Sequence, residues 1–219
     1  MAIPRITVLI SGRGSNLAAL VAAERRGELG GTVCAVISNR PDAAGLRVAA
    51  EHGIAAECVD HRGFSDRAAF DAALADAINA AVPDLVVLAG FMRVLGPALV
   101  RRFEGRMLNI HPALLPAYPG LDTHRRALAD GVRVHGCTVH FVTDDVDHGP
   151  IVAQGALAVR DDDDAESLAA RVLDVEHRLL PMAVRAWCEG RLVIEGRRIR
   201  VKGQPIPDFA LEAPCPDRP

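Results

Sequence analysis

Three apolar runs, at residues 6–10 (broken only by Thr7), 33–37 and 85–89, each stop at a small or polar residue: Ser11, Ser38 and Gly90. A strand with one wet face alternates polar and apolar residues, so runs this solid read as strands buried on both faces. Helix-like stretches lie between them. In the clearest, residues 66–81, Phe70, Leu74, Ala77, Ile78 and Ala81 recur at helical spacing on one side. Strand alternating with helix predicts an α/β fold: an open, mostly parallel twisted sheet, right-handed crossovers and helices on both faces. Shorter strands at 55–59 and 107–110 complete the N-terminal half.

The pattern then changes. Two long strand candidates, 134–142 and 151–159, are separated by an Asp/Gly/Pro turn and predict an antiparallel extension of the sheet. The acidic run 161–164 reads as a solvated turn capping the next helix, with Asp163 as N-cap and Glu166 three residues on. That helix spans 165–188 with Leu168, Val172, Val175 and Leu179 on one side, and Pro181 is expected to kink it or open a new first turn. A small hairpin, 192–195 with 198–201, follows around Gly196 and Arg197. The 219 residues suit one domain over 1–202, its halves meeting near 105, with a Pro-rich tail at 203–219.

Composition removes several functions. A net charge of −3 leaves no basic excess to neutralise a phosphate backbone, which argues against a nucleic-acid binder. The five cysteines are widely spaced without a C-x-x-C pair, so neither a disulfide framework nor a zinc site is expected and a reducing cytoplasm fits. The apolar start is too short for a signal peptide, and no run approaches the roughly 18 apolar residues of a membrane helix.

Chemistry concentrates in four segments. In residues 108–120, Asn109 and His111 stand two apart at the end of an apolar run, so on an extended backbone both point to one face, an amide donor beside an acid/base. Pro112, Pro116 and Pro119 forbid a regular helix or central strand beyond them and stiffen the loop. Residues 143–150 gather Asp144, Asp145 and Asp147 in a turn that could set one carboxylate against the imidazole, favouring its charged form and fixing its tautomer. Each of these residues alone is more often a turn cap than a catalyst.

The turn 11–16, Ser-Gly-Arg-Gly-Ser-Asn, opens a helix whose free N–H groups and dipole suit an anion. A dinucleotide fingerprint would want Gly at Leu17 and an acid near Ser38 and Asn39; Arg40 keeps an NADP-dependent oxidoreductase open, and a nucleotide-binding regulatory module without catalysis is the blander alternative. Residues 91–95 lie beyond a parallel strand's carboxyl end, where open α/β sheets hold ligands, although Phe91, Met92 and Leu95 also read as packing. His135 and His140 are five apart and face opposite sides of their strand, so no metal is expected. His52, His61, His124 and His177 read as structural or exposed.

The segments LISGRGSNL, VVLAGFMRVL, LNIHPALLPAYPG and HGCTVHFVTDDVDHGPI together resemble the phosphoribosylglycinamide formyltransferase family, from about residue 6 to about 187. The resemblance implies transfer of a formyl group from 10-formyltetrahydrofolate, a co-substrate, to the amine of glycinamide ribonucleotide by direct attack, in purine synthesis. It makes Asn109, His111 and Asp147 the catalytic trio. It assigns Gly14, Ser15 and Asn16 to the ribonucleotide, with its phosphate at the helix start, and Glu176 to the neighbourhood of its amine. Met92, Arg93, Val94 and Leu95, with Asn109, become the folate wall, and Arg67 meets the folate's glutamate end. His140 belongs near the active site, and His148 stands where the family carries a small residue. Small molecules are then the only partners, with no nucleic acid or membrane; a homodimer stays open. Formyltetrahydrofolate hydrolases and methionyl-tRNA formyltransferases share the Asn-x-His and Asp, and the Gly14-Ser15-Asn16 loop and the lack of an added domain speak against both.

Overall fold

The computed structural model describes residues 2–203 and Ala213, so the rest of the expected tail lies outside the described residues. Seven strands form the central sheet: β1 Arg5–Ile10, β2 Thr32–Ser38, β3 Ala55–Cys58, β4 Leu85–Leu88, β5 Met107–His111, β6 Val134–Phe141 and β7 Ile151–Ala158. Their order is β3-β2-β1-β4-β5-β6-β7. Strands β1 to β5 pair in parallel, whereas β6 runs antiparallel to both β5 and β7. The small hairpin, β8 Leu192–Glu195 with β9 Arg198–Val201, forms its own two-stranded sheet, with Leu192 and Ile199 packed against the main core.

Six helices cover the sheet: α1 Ser15–Arg25, α2 Gly45–Glu51, α3 Arg67–Ala80, α4 Pro97–Arg102, α5 Thr123–Ala129 and α6 Ala165–Cys188. The solid apolar strands are explained by two cores. Ile6, Val8 and Ile10 face Leu17 and Leu20 of α1 and Leu168 and Val172 of α6. Leu9, Val86 and Leu88 face Phe70, Leu74 and Ile78 of α3 and Leu99 of α4. Alternate residues of one strand thus feed opposite cores, and burying each such side chain contributes about 1.5–3 kcal/mol.

Helix starts carry local signatures. Asp66 caps α3 by accepting the Ala69 N–H at 2.9 Å. On α6 the expected cap shifts by one residue: Asp164 is the N-cap and pairs reciprocally with Ser167, while Asp163 forms an ion pair with Arg171 and accepts the Arg160 N–H. A run of four aspartates offers several capping registers, and the box with Ser167 satisfies two donors at once. Pro181 opens no new helix. It is buried inside a continuous α6, where packing outweighs the lost backbone bond.

Candidate active site

The chain runs outward from β1 in one direction across the sheet and from β4 in the other, leaving a crevice at their carboxyl ends. A cavity of about 780 Å³ opens there, lined by the turns after β1 and β4, the end of β5, and the loops following β5 and β6.

One wall is the turn after β1. Gly14 adopts φ 79°, and a Cβ on it would stand 2.5 Å from the Cα of Gly45, so the turn lies directly on the start of α2. Glycine meets both the left-handed backbone and the close approach. No side chain caps α1, whose first N–H groups remain available near the cavity. Asn16 and Glu176, 160 residues apart, meet here: the Asn16 Nδ2 donates to Glu176 Oε2 at 2.7 Å, both being buried. Burial pushes the Glu176 carboxyl up, against the pull of that hydrogen bond. Asn16 Oδ1 is buried without a partner. Arg40 lines the cavity, but its guanidinium is held by both oxygens of Asp42, at 3.1 and 2.8 Å.

The floor is β5. Asn109 and His111 do share a face, and the antiparallel register sets His140 opposite Asn109 and Thr138 opposite His111. His140 Nδ1 lies 2.9 Å from the Phe141 carbonyl, which makes that nitrogen the donor and leaves Nε2 to accept the Asn109 amide at 3.1 Å. His140 is therefore neutral, and burial pushes its pKa down. This contact aims the Asn109 amide and leaves its second N–H uncommitted.

Asp147 enters from the loop after β6 at φ 57°. Its Oδ2 accepts the Gly120 N–H at 2.8 Å and lies 3.4 Å from His111 Nδ1; its Oδ1 lies 3.7 Å from His140 Nε2. His111 Nε2 donates to the Tyr118 carbonyl at 2.8 Å. The ring thus turns its Nδ1 edge toward Asp147. Asp144 is instead drawn away to Arg101 at 2.8 Å, which leaves Asp147 as the carboxylate facing the imidazole. His148 turns back on its own loop, its Nδ1 donating to the Val146 carbonyl at 2.6 Å.

The remaining wall is residues 91–95. Phe91 and Leu95 are buried, whereas Met92 and Val94 are exposed and line the cavity with Arg93. Arg67 begins α3 and is not among the lining residues.

Sequence reasoning missed a histidine. His124, expected to be structural or exposed, lines the cavity and shares a hydrogen bond of 3.2 Å with His135. Burial first, then the neighbouring imidazole, pushes His135 down to about 4. The His-x₁₀-His spacing of this pair has no local meaning; only α5 packing beside β6 creates the contact. His140 was reachable from sequence as the partner of Asn109 once β5 and β6 were paired antiparallel. Among the described residues, no cluster of three or more His, Cys, Asp or Glu could hold a metal ion.

Comparison with known proteins agrees with this architecture. Residues 4–184 match the Formyl transferase family model. The chain is 46% identical over 202 residues to phosphoribosylglycinamide formyltransferase of Escherichia coli K12, covering 92% of this chain and 95% of the relative. It superposes on glycinamide ribonucleotide transformylase 1 of Symbiobacterium toebii with a TM-score of 0.89 and 51% identity, over 91% and 94% of the two chains. A formyltetrahydrofolate deformylase from Pseudomonas putida is more distant, at 33% identity and a TM-score of 0.81, with 91% of this chain and 70% of that one covered. Against the trifunctional purine biosynthetic protein adenosine-3 of Bos taurus, 44% identical, this chain spans 19% of the relative's length. The cavity at the sheet's switch point, its Asn, His and Asp from two chain segments, and these matches place the chain in the formyl transferase family, among the phosphoribosylglycinamide formyltransferases.

Proposed function

We propose that this enzyme transfers the formyl group of 10-formyltetrahydrofolate to the amine of glycinamide ribonucleotide, within a single domain over residues 1–202. The observation that carries the reading is the convergence of Asn109, His111 and Asp147 between the α1 turn and the 91–95 wall. In this reading residues up to about 105 form the ribonucleotide-binding half and residues 106–202 the folate and catalytic half, with residues 92–95 and Glu176 contributing across that division. The phosphate takes the free N–H groups of α1 beside Gly14, Ser15 and Asn16. Glu176 and the unpartnered Asn16 Oδ1 accept from the substrate's polar groups. The folate lies along Met92, Arg93, Val94 and Leu95, and Arg67 supports its glutamate end from outside the cavity.

The substrate amine attacks the formyl carbon, the carbonyl electrons move onto oxygen, and the C–N10 bond then breaks. The proton lost by the attacking nitrogen goes to N10. The free N–H of Asn109 and the Nδ1–H of a protonated His111 face the developing oxyanion, and preorganised donors of this kind contribute about 3 kcal/mol each. Asp147 stabilises the imidazolium across its 3.4 Å gap. No covalent enzyme intermediate is needed. The four described cysteines are all free, which suits a reducing cytoplasm.

Purified protein mixed with both substrates should consume the formyl folate, followed by absorbance, only when the ribonucleotide is present. Loss of the formyl group without ribonucleotide would replace transfer by hydrolysis. No loss with either would remove the enzyme reading.

A further inference from the structure

Residues 91–96 are tied down at both ends by buried side chains, and only one tie belongs to the turn after β1. At the near end the Met92 N–H donates to Ser11 Oγ at 2.7 Å, and Ser11 in turn donates to Asn39 at 2.5 Å. At the far end the Gly96 N–H donates to Asp71 Oδ2 at 2.7 Å. Asp71 lies on the buried side of α3, 7% exposed, among Phe70 and Leu74. Its second oxygen, Oδ1, is buried with no hydrogen-bond partner. A carboxylate in that position is costly unless something requires it.

Two guanidiniums provide the reason. Arg67 is on the same helix one turn earlier, with its Nε 3.9 Å from where a Cβ on Gly96 would lie. Arg93 belongs to the wall itself and stacks toward Phe70, its guanidinium carbon 5.8 Å from the ring centroid. Both arginines act on the Asp71 carboxyl, which burial otherwise pushes up. We propose that Asp71 is a positioning residue for the folate-facing wall: its carboxylate fixes the far end of residues 91–96 and serves Arg67 and Arg93 as a common anionic partner. This rests on the reading of that wall as the folate side of the cavity. Asp71 is not among the cavity-lining residues and reaches the ligand only through the strap it holds.

The test separates the strap from the rest of the enzyme. In Asp71→Ala, the KM for 10-formyltetrahydrofolate should rise about tenfold, the scale of one lost hydrogen bond to a charged acceptor. The KM for the ribonucleotide, and kcat at saturating folate, should stay within about twofold of the parent. Asp71→Asn keeps an oxygen for the Gly96 N–H but removes the negative charge that acts on the two arginines, so its folate KM should rise about threefold. Amide exchange without ligand gives a second readout: in both variants exchange should accelerate over residues 92–96 while α6 keeps its protection. A folate KM within twofold of the parent in folded Asp71→Ala overturns the proposal, as do equal rises in both KM values. If Asp71→Ala does not fold, an unchanged folate KM and unchanged exchange in Asp71→Asn overturn it. A parent protein that consumes no formyl folate overturns the functional reading, and the proposal with it.

Discussion

The turn after β1 and the pair of loops around Asp147 are both walls of one cavity, yet they are built from different materials. The first is backbone: glycines, an uncapped helix start, and a crossing of Gly14 over Gly45 so close that no side chain fits between them. The second is side chains and their partners. Asp147 reaches His111 only because the Gly120 N–H, from the loop after β5, holds its Oδ2. A backbone site is written in a few consecutive residues and tolerates variation in what surrounds it. A side-chain site depends on several distant partners at once, so it can be tuned finely and broken from many positions.

The largest break should come from the side-chain half. Asn109→Ala removes an oxyanion donor and leaves His140 Nε2 without the amide that it accepts. Steady-state kinetics should show kcat falling by about 10² to 10³, with substrate KM values little changed. Near-normal turnover would take Asn109 out of the chemistry.

Asp147→Asn should rank next, with kcat down about 10²-fold and smaller changes in KM. The amide can still accept from Gly120, so the loop stays in place while the charge facing His111 and His140 is gone. The loss should appear in kcat at saturating substrate, because an amide cannot balance positive charge that develops on the ring. Near-normal kcat in the variant would move the role to another acid.

Gly14→Val probes the backbone half. A β-branched residue at φ 79° with its Cβ 2.5 Å from Gly45 Cα strains the turn, costing about 1–3 kcal/mol of stability. Denaturation should show that loss, and the ribonucleotide KM should rise about tenfold with folate affinity nearly unchanged. Equal weakening of both ligands would erase the division between the walls.

The smallest effect concerns His135. Its folded pKa, about 4, lies below the unfolded value near 6.5, so the fold favours the neutral ring. Its contribution is fully present above pH 6.5 and is lost as pH falls from there through 4, where unfolded chains take the proton first. Urea midpoints should decline across that window, and less steeply in His135→Gln. Parallel curves for the two proteins would assign the decline to other groups.

Much of the fold was legible because its causes are local. The apolar runs of β1, β2 and β4, the helical spacing of Phe70, Leu74 and Ile78, and the hairpin of β6 and β7 each state their structure within a short window. The Asn109 and His111 pair was legible for the same reason, since alternation along one strand sets both on one face. Asp163 misled because adjacent aspartates offer nearly equal caps, and Ser167 decided between them. At Pro181 the expected new first turn does not form, because α6 continues through that buried position and local propensity gives way to tertiary packing.

From its own order of residues this chain determined an α/β sheet with a crevice at its switch point, a glycine turn suited to an anion, and the motifs that mark its family. Local chemistry leaves Asp144, Asp145 and Asp147 alike and only the family motif singles out Asp147; the contact with His111 itself is tertiary, since Arg101 takes Asp144 and Gly120 holds Asp147. Tertiary structure also decided that Asn16 meets Glu176, that His124 meets His135, and that Asp71 holds the far end of the 91–96 strap. The physical reason is the same in each case. Propensity and periodicity act over a few residues, whereas a buried polar contact exists only when two distant elements are packed close enough to exclude water and satisfy each other.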